Sequence, residues 1–112
     1  MAGSPPAGAV LAGFVAGASW AAVPEPVRHH TKRTLLNFIG CALGASAEPS
    51  VAAMLGVLAE VSGPPQAGLV GRRERLDMFG AAAINAVAGN FHDFDDTHLA
   101  TVIHPAAPVA PV

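Results

Sequence analysis

Tyrosine is absent from this sequence, aromatic residues make up only 5%, and a single cysteine, Cys41, is present. One cysteine excludes an internal disulfide framework and fits a reducing compartment. Charge is scarce as well: 12% of the residues are charged, six basic against eight acidic, for a formal net charge of −2. So few cations leave no electrostatic footprint for nucleic acid or an anionic membrane surface, so neither is expected as a partner. The apolar N-terminal stretch Ala7 to Ala22 contains Gly13 and Gly17 at the spacing of packed membrane helices. No lysine or arginine precedes it, as a secretory signal would require, and Ser19 and Pro24 cut it short of the ~20 residues of a span. A cytoplasmic protein is the expectation. What is plentiful is apolar residues, at 52%. That excludes intrinsic disorder, and the alanine among them favours helix over a core of large side chains. A chain of 112 residues makes one domain or part of one. Its high mean hydropathy suggests apolar surface meant for partners.

Periodicity predicts four helices and an all-α fold. Residues 1–8, with Ser4-Pro5-Pro6, read as a disordered leader. Leu11, Phe14, Val15 and Ala18 share one helical face. Trp20 to Pro24 reads as a connection, and Pro24-Glu25-Pro26 as a helix start with proline and an acid at the positive end. The stripe Val27, Thr31, Thr34, Leu35, Phe38, Ile39 and Ala42 then marks the strongest amphipathic helix, ending near Gly44. A third helix begins near Pro49 and buries Val51, Met54, Leu55, Leu58 and Val61 before Gly63-Pro64-Pro65. Leu69-Val70 reads as a short extended piece, and Arg72 to Arg75 as a solvated loop. Asp77 is positioned to cap a fourth helix whose stripe is Phe79, Ala82, Ala83, Ala86 and Val87. Its alanines and glycine would let another helix approach closely.

Polar chemistry gathers after that helix. His92-Asp93-Phe94-Asp95-Asp96-Thr97-His98 is followed by His104-Pro105, so three of the five histidines lie within thirteen residues. A solvated loop with local side-chain caps is the plain interpretation. Against it, Phe94 is expected to face inwards, and histidines bracket acids, which supplies proton exchange near neutral pH. Two chemistries use such residues. His92, Asp93, Asp95 and His98 offer the mixed N/O ligands of an HD-type metal-dependent hydrolase, with His29 and His30 as the upstream candidates. Metal-free acid–base chemistry on a carboxylate substrate is the other. Spacing alone chooses neither.

Phe14-Val-Ala-Gly-Ala-Ser-Trp20, Val23-Pro-Glu-Pro-Val27, Leu36-Asn-Phe-Ile-Gly-Cys-Ala-Leu43 and Asp93-Phe-Asp-Asp-Thr-His98 with His104-Pro105 together resemble the N-terminal part of the MmgE/PrpD family. Members include 2-methylcitrate dehydratase and cis-aconitate decarboxylase. The resemblance runs from about Ala12 onward. It implies a helical domain paired with a smaller lid domain, commonly in a homodimer, and cofactor-free, metal-free lyase chemistry on small polycarboxylates. It also implies that Asp93, Thr97 and His104 line the active site. His104 is expected to pair with a substrate carboxylate or supply a proton, Asp93 to hold the imidazole or accept a proton, and Thr97 to hydrogen-bond the substrate. Asp95 and Asp96 read as loop and cap acids, His92 and His98 as structural, and Cys41 as a packing residue.

The sequence departs from the family at Ala86, where glycine is frequent, and at Asn90, where histidine is. Relatives are several times longer and use a lysine and further histidines, whereas the one lysine here is Lys32, far upstream. The chain by itself is therefore expected to show no appreciable lyase activity, with a missing C-terminal part or second chain supplying the rest. The alternative outside enzymology is a helical self-association module.

Overall fold

The computed structural model describes residues 5–112. It divides into two compact units, Met1–Lys32 and Arg33–Val112. In the first, helix α1 covers Ala7–Gly17 and buries none of its residues. It begins inside the span expected as a leader, of which residues 1–4 lie outside the described residues. Ser19 caps the short 3-10 turn Trp20–Ala22 by accepting from the Ala22 amide at 3.3 Å. Helix α2, Glu25–Ala45, follows Pro24 with Glu25 in its first turn. Arg28 donates to Glu25 Oε2 through Nε at 2.9 Å and Nη2 at 2.7 Å. Its Nη1 reaches the Trp20 and Ala21 carbonyls, both at 3.4 Å. One guanidinium thus ties the start of the helix to the turn before it.

The second unit holds the rest of α2, then α3 (Pro49–Val61), strands β1 (Ala67–Gly68) and β2 (Arg75–Leu76), α4 (Met78–Asn90) and α5 (Ala106–Val109). The architecture is helical, with one small antiparallel ribbon among the described residues, Ala67 opposite Leu76 and Gly68 opposite Arg75. The extended piece expected at Leu69-Val70 thus lies two residues earlier, and its partner comes from the stretch expected as a solvated loop. Between the strands, Gly71 takes a left-handed φ of 74° and lies where a Cβ would meet Ser46 at 2.6 Å. Only glycine satisfies both demands. No single helix among the described residues is long and apolar enough to cross a membrane, and α2 and α3 meet at a bend of 89°.

The core joins Phe38, Ala42 and Ala45 of α2, Val51 and Leu55 of α3, Leu69, Leu76, Ala106, and Ala81, Ile84 and Ala88 of α4. In α2 and α3 the expected stripes supply Phe38, Ala42, Val51 and Leu55, but Val27, Leu35, Ile39 and Val61 are exposed and Ala45 is buried past the expected helix end. In α4 the stripe is corrected. The buried face is Ala81, Ile84, Asn85, Ala88 and Gly89, while Phe79 is 81% exposed and Val87 also lies outside. An alanine-rich helix carries a weak amphipathic signal, so its inner face is chosen by what packs on it. Asn85 on that face donates to the Gly68 carbonyl at 3.1 Å and accepts from the Val70 amide at 2.9 Å. It thereby satisfies the backbone at the end of β1, which explains a buried amide. The helices packed most closely on α4 are α3 and α5; at Gly89 the approach is by a side chain of α2, and a Cβ there would stand 2.5 Å from the Phe38 ring.

Asp77 caps α4 as expected, accepting from the Gly80 amide at 2.8 Å. Its other oxygen accepts from the Gly63 amide at 2.9 Å and from the Ser62 hydroxyl at 3.0 Å. These bonds, the Gly80 amide foremost and then Gly63 and Ser62, hold its carboxyl below the usual aspartate value.

Gly89→Ala gains helix propensity but drives a methyl into the Phe38 ring, for a net loss of about 1–2 kcal/mol in urea denaturation. Gly56→Ala, with open space around it, should instead gain up to about 1 kcal/mol. The Asp77 contribution is complete above the unfolded-state value near ~3.9 and is lost as pH falls through the lower folded-state value. Asp77→Asn, which keeps a capping oxygen, should therefore flatten the loss of thermal stability between pH 5 and 2.

Candidate functional site

Gly89 admits the Phe38 ring, and the next residue, Asn90, ends α4. The Asn90 carbonyl accepts from the Asp93 amide at 2.9 Å, closing a turn in which Asp93 adopts a left-handed φ of 57°. Aspartate tolerates that region better than most side chains. After this reversal the expected orientation of the loop is inverted: Phe94 is 78% exposed and Asp95 is buried. The Phe94 carbonyl accepts from Asn37 Nδ2 of α2 at 3.2 Å, fixing the loop from outside.

Asp95 is the centre of the site, and its side chain has no solvent exposure. Asn90 Nδ2 donates to its two oxygens at 3.1 and 3.2 Å. His104 Nδ1 lies 3.2 Å from Oδ1. The other ring nitrogen of His104, Nε2, lies 3.6 Å from Asp93 Oδ1, and the Asp93 side chain is 82% exposed. The imidazole thus stands between a buried and a solvated carboxylate. A second reversal returns His104 to this place. The His98 amide donates to the Ile103 carbonyl at 2.9 Å, and the Thr101 and Val102 amides donate to the His98 carbonyl at 3.1 and 2.8 Å. Val102 sits at a φ of 52°, a strained conformation for a β-branched residue.

Of the three residues singled out from sequence, Asp93 and His104 are brought together. Thr97 is not: its hydroxyl reaches the Asp95 carbonyl at 3.5 Å. Asp95, named among the metal-ligand candidates but otherwise read as a loop acid, is the residue whose burial and central place sequence reasoning missed. The signal available for it was only the period-two alternation Asp93, Phe94, Asp95 beside an asparagine. Asp96 does act as a cap, accepting from the Ala106 amide at the start of α5 at 3.1 Å. The four metal ligands considered do not assemble. His92 faces Glu48 at 3.6 Å, and His98 Nδ1 contacts the Thr101 hydroxyl at 2.7 Å. The set that does converge is Asp93, Asp95 and His104, with one ligand atom each within 4.8 Å of one another. Those atoms have the hard-oxygen and imidazole chemistry of a divalent cation site, although Asn90 and His104 already occupy the Asp95 oxygens. Burial pushes the Cys41 thiol above its usual value, and the charge of Asp95 adds to this. That opposes a nucleophilic role.

Beside His104 opens a cavity of about 390 Å³, lined by Ala86, Val87, Asn90, His104, Ala107 and Pro108. Its walls are apolar apart from the amide and the imidazole. Both positions of departure from the family pattern, Ala86 and Asn90, lie on it.

The family model describing the MmgE/PrpD N-terminal domain matches residues 9–112. No curated protein and no solved structure matches the chain.

Asn90→Ala leaves a buried carboxylate with fewer donors and should cost about 2–3 kcal/mol in chemical denaturation. Thr97→Val, which removes only a long bond of 3.5 Å, should stay within about 0.5 kcal/mol of the parent.

Proposed function

The chain belongs to the MmgE/PrpD family through its N-terminal domain, and from that premise we propose that it carries the proton-handling part of a lyase site for small polycarboxylates of the 2-methylcitrate or cis-aconitate type. The observation that carries the reading is His104, held between two carboxylates at the edge of a small cavity.

Both reactions of the class need a proton moved at carbon. In dehydration a proton leaves the carbon beside a carboxylate, its electron pair forms the double bond, and the hydroxyl takes a proton and departs as water. In decarboxylation the carbon–carbon bond breaks, carbon dioxide leaves, and the electron pair left on carbon takes up a proton. An imidazole can give or take that proton near neutral pH. In this reading His104 Nε2 makes the transfer. Asp93, solvated and facing that nitrogen, exchanges the proton with water. Thr97 reaches substrate only if its hydroxyl turns from the Asp95 carbonyl.

Charge limits what this chain does unaided. Among the described residues no lysine or arginine pairs with Asp93, Asp95 or His104. A polycarboxylate would meet two negative groups and one imidazole. Cations for its other carboxylates must come from another segment or chain. We place the assembly in the cytoplasm as a homodimer, with Leu36 and Leu43, 72% and 56% exposed, among the apolar groups needing cover.

The test is an amide and side-chain NMR titration of the chain with cis-aconitate. Weak, saturable shifts at His104, Asn90 and Ala107, abolished by His104→Ala and unaccompanied by turnover, are expected. Shifts scattered over the surface, or indifferent to His104→Ala, would overturn the polycarboxylate reading. Turnover by the chain alone would overturn the need for outside cations. A rise in melting temperature with added manganese or zinc, lost in Asp93→Asn, would favour a metal-dependent site instead.

A further inference from the structure

We propose that Asp95 is a positioning residue that, with Asn90 behind it, locks His104 into the tautomer protonated on Nδ1, leaving Nε2 as the working nitrogen. The proposal rests on the reading of His104 as the group that moves the proton, and adds the device that aims it.

The argument is one of donors and acceptors. Both Asp95 oxygens take hydrogen bonds from Asn90 Nδ2, and Oδ1 also faces His104 Nδ1. With Asn90 already donating to each oxygen, Asp95 is taken as the carboxylate, acceptor only and with no proton to give, which assigns the direction of the Oδ1–Nδ1 bond. The Nδ1 of His104 must then be the donor. In the neutral ring only one nitrogen carries hydrogen, so Nε2 keeps its lone pair. Complete burial of the Asp95 side chain makes the arrangement hard to exchange. Water has no access to substitute for the carboxylate, and an unpaired charge there would be costly.

Geometry gives the constraint its direction. Nε2 lies on the far side of the ring from Asp95, 3.6 Å from Asp93 Oδ1, and that ring also lines the cavity. A base needs a lone pair on the nitrogen nearest its substrate, and a mixture of tautomers would leave only a fraction of molecules competent. Asn90 serves the same end from the helix. As the last residue of α4 it follows the buried Gly89, and its amide meets both carboxylate oxygens that in turn face the ring. A carboxylate behind a histidine is a general way of fixing which nitrogen is free.

The readout is the tautomer itself, by long-range proton–nitrogen correlation on the uniformly labelled chain at pH 8.5, with the His104 signals identified by their loss in His104→Gln. The unsubstituted protein should show His104 protonated on Nδ1, while the exposed His29 and His30 show the ordinary preference of free imidazole for Nε2. Asp95→Ala should return His104 to that ordinary mixture. A merely structural role for Asp95 would not move the tautomer of a folded protein. His104 protonated on Nε2 in the unsubstituted chain, or an Asp95→Ala protein that keeps Nδ1 protonated, would overturn the proposal. Should Asp95→Ala fail to fold, the measurement on the unsubstituted chain decides alone. A locked Nδ1 tautomer without binding of cis-aconitate would sink the lyase reading and leave the positioning intact.

Discussion

The van der Waals approach of the Phe38 ring to Gly89 sets where everything after α4 can go. The ring lies where any larger residue would put its first carbon, so a side chain of α2 rests directly on the backbone of α4 at this point. The next residue is Asn90, whose side chain is the first link to Asp95. Small residues elsewhere on the same face, Ala81 and Ala88, let α3, α5 and the ribbon close around the helix. A domain with few large core side chains gains its order from such close approach, since packing density depends on contact and not on residue size.

Polar groups in this protein are buried only where the backbone or another side chain answers them. Asn85 satisfies an amide and a carbonyl of the ribbon, and Asp77 takes donors from three places to seal the start of α4. Asp95 follows the same logic, but its partners include a titratable ring that borders a cavity. That is the difference between a structural carboxylate and one placed to influence chemistry. No buried side-chain nitrogen or oxygen among the described residues is left without a partner.

Large apolar side chains outside the core tell a second part of the story. Leu11, Phe14 and Val15 of α1 are exposed, as are Leu36 and Leu43 of α2, Phe79 of α4 and Phe94 in the site loop. Scattered exposed leucines need no explanation, but this many on three helices and a functional loop exceed what a small monomer ordinarily presents.

The positions of α1 to α4 were legible in the residues because proline, glycine and capping aspartate punctuate the chain locally, whereas α5 at Ala106–Val109 was not expected among its alanines and prolines. Pro24, Pro49, Gly63 and Asp77 each act within a turn of their own position. The Asp93-Phe-Asp-Asp-Thr motif with His104-Pro105 likewise marked the family and the place where chemistry collects. The inner face of α4 was not legible, because alanines on every side give no preferred direction and Asn85 reads as outward until its partners on β1 are known. The inversion of Phe94 and Asp95 was hidden for a related reason. Hydropathy puts phenylalanine inside and aspartate outside, and only the Asn90 amide and the His104 ring, brought together by two chain reversals, give the buried carboxyl its partners. Sequence by itself determined which residues could carry the chemistry. Tertiary structure decided which of them meet, because a hydrogen bond between residues 90, 95 and 104 depends on the path of the backbone between them.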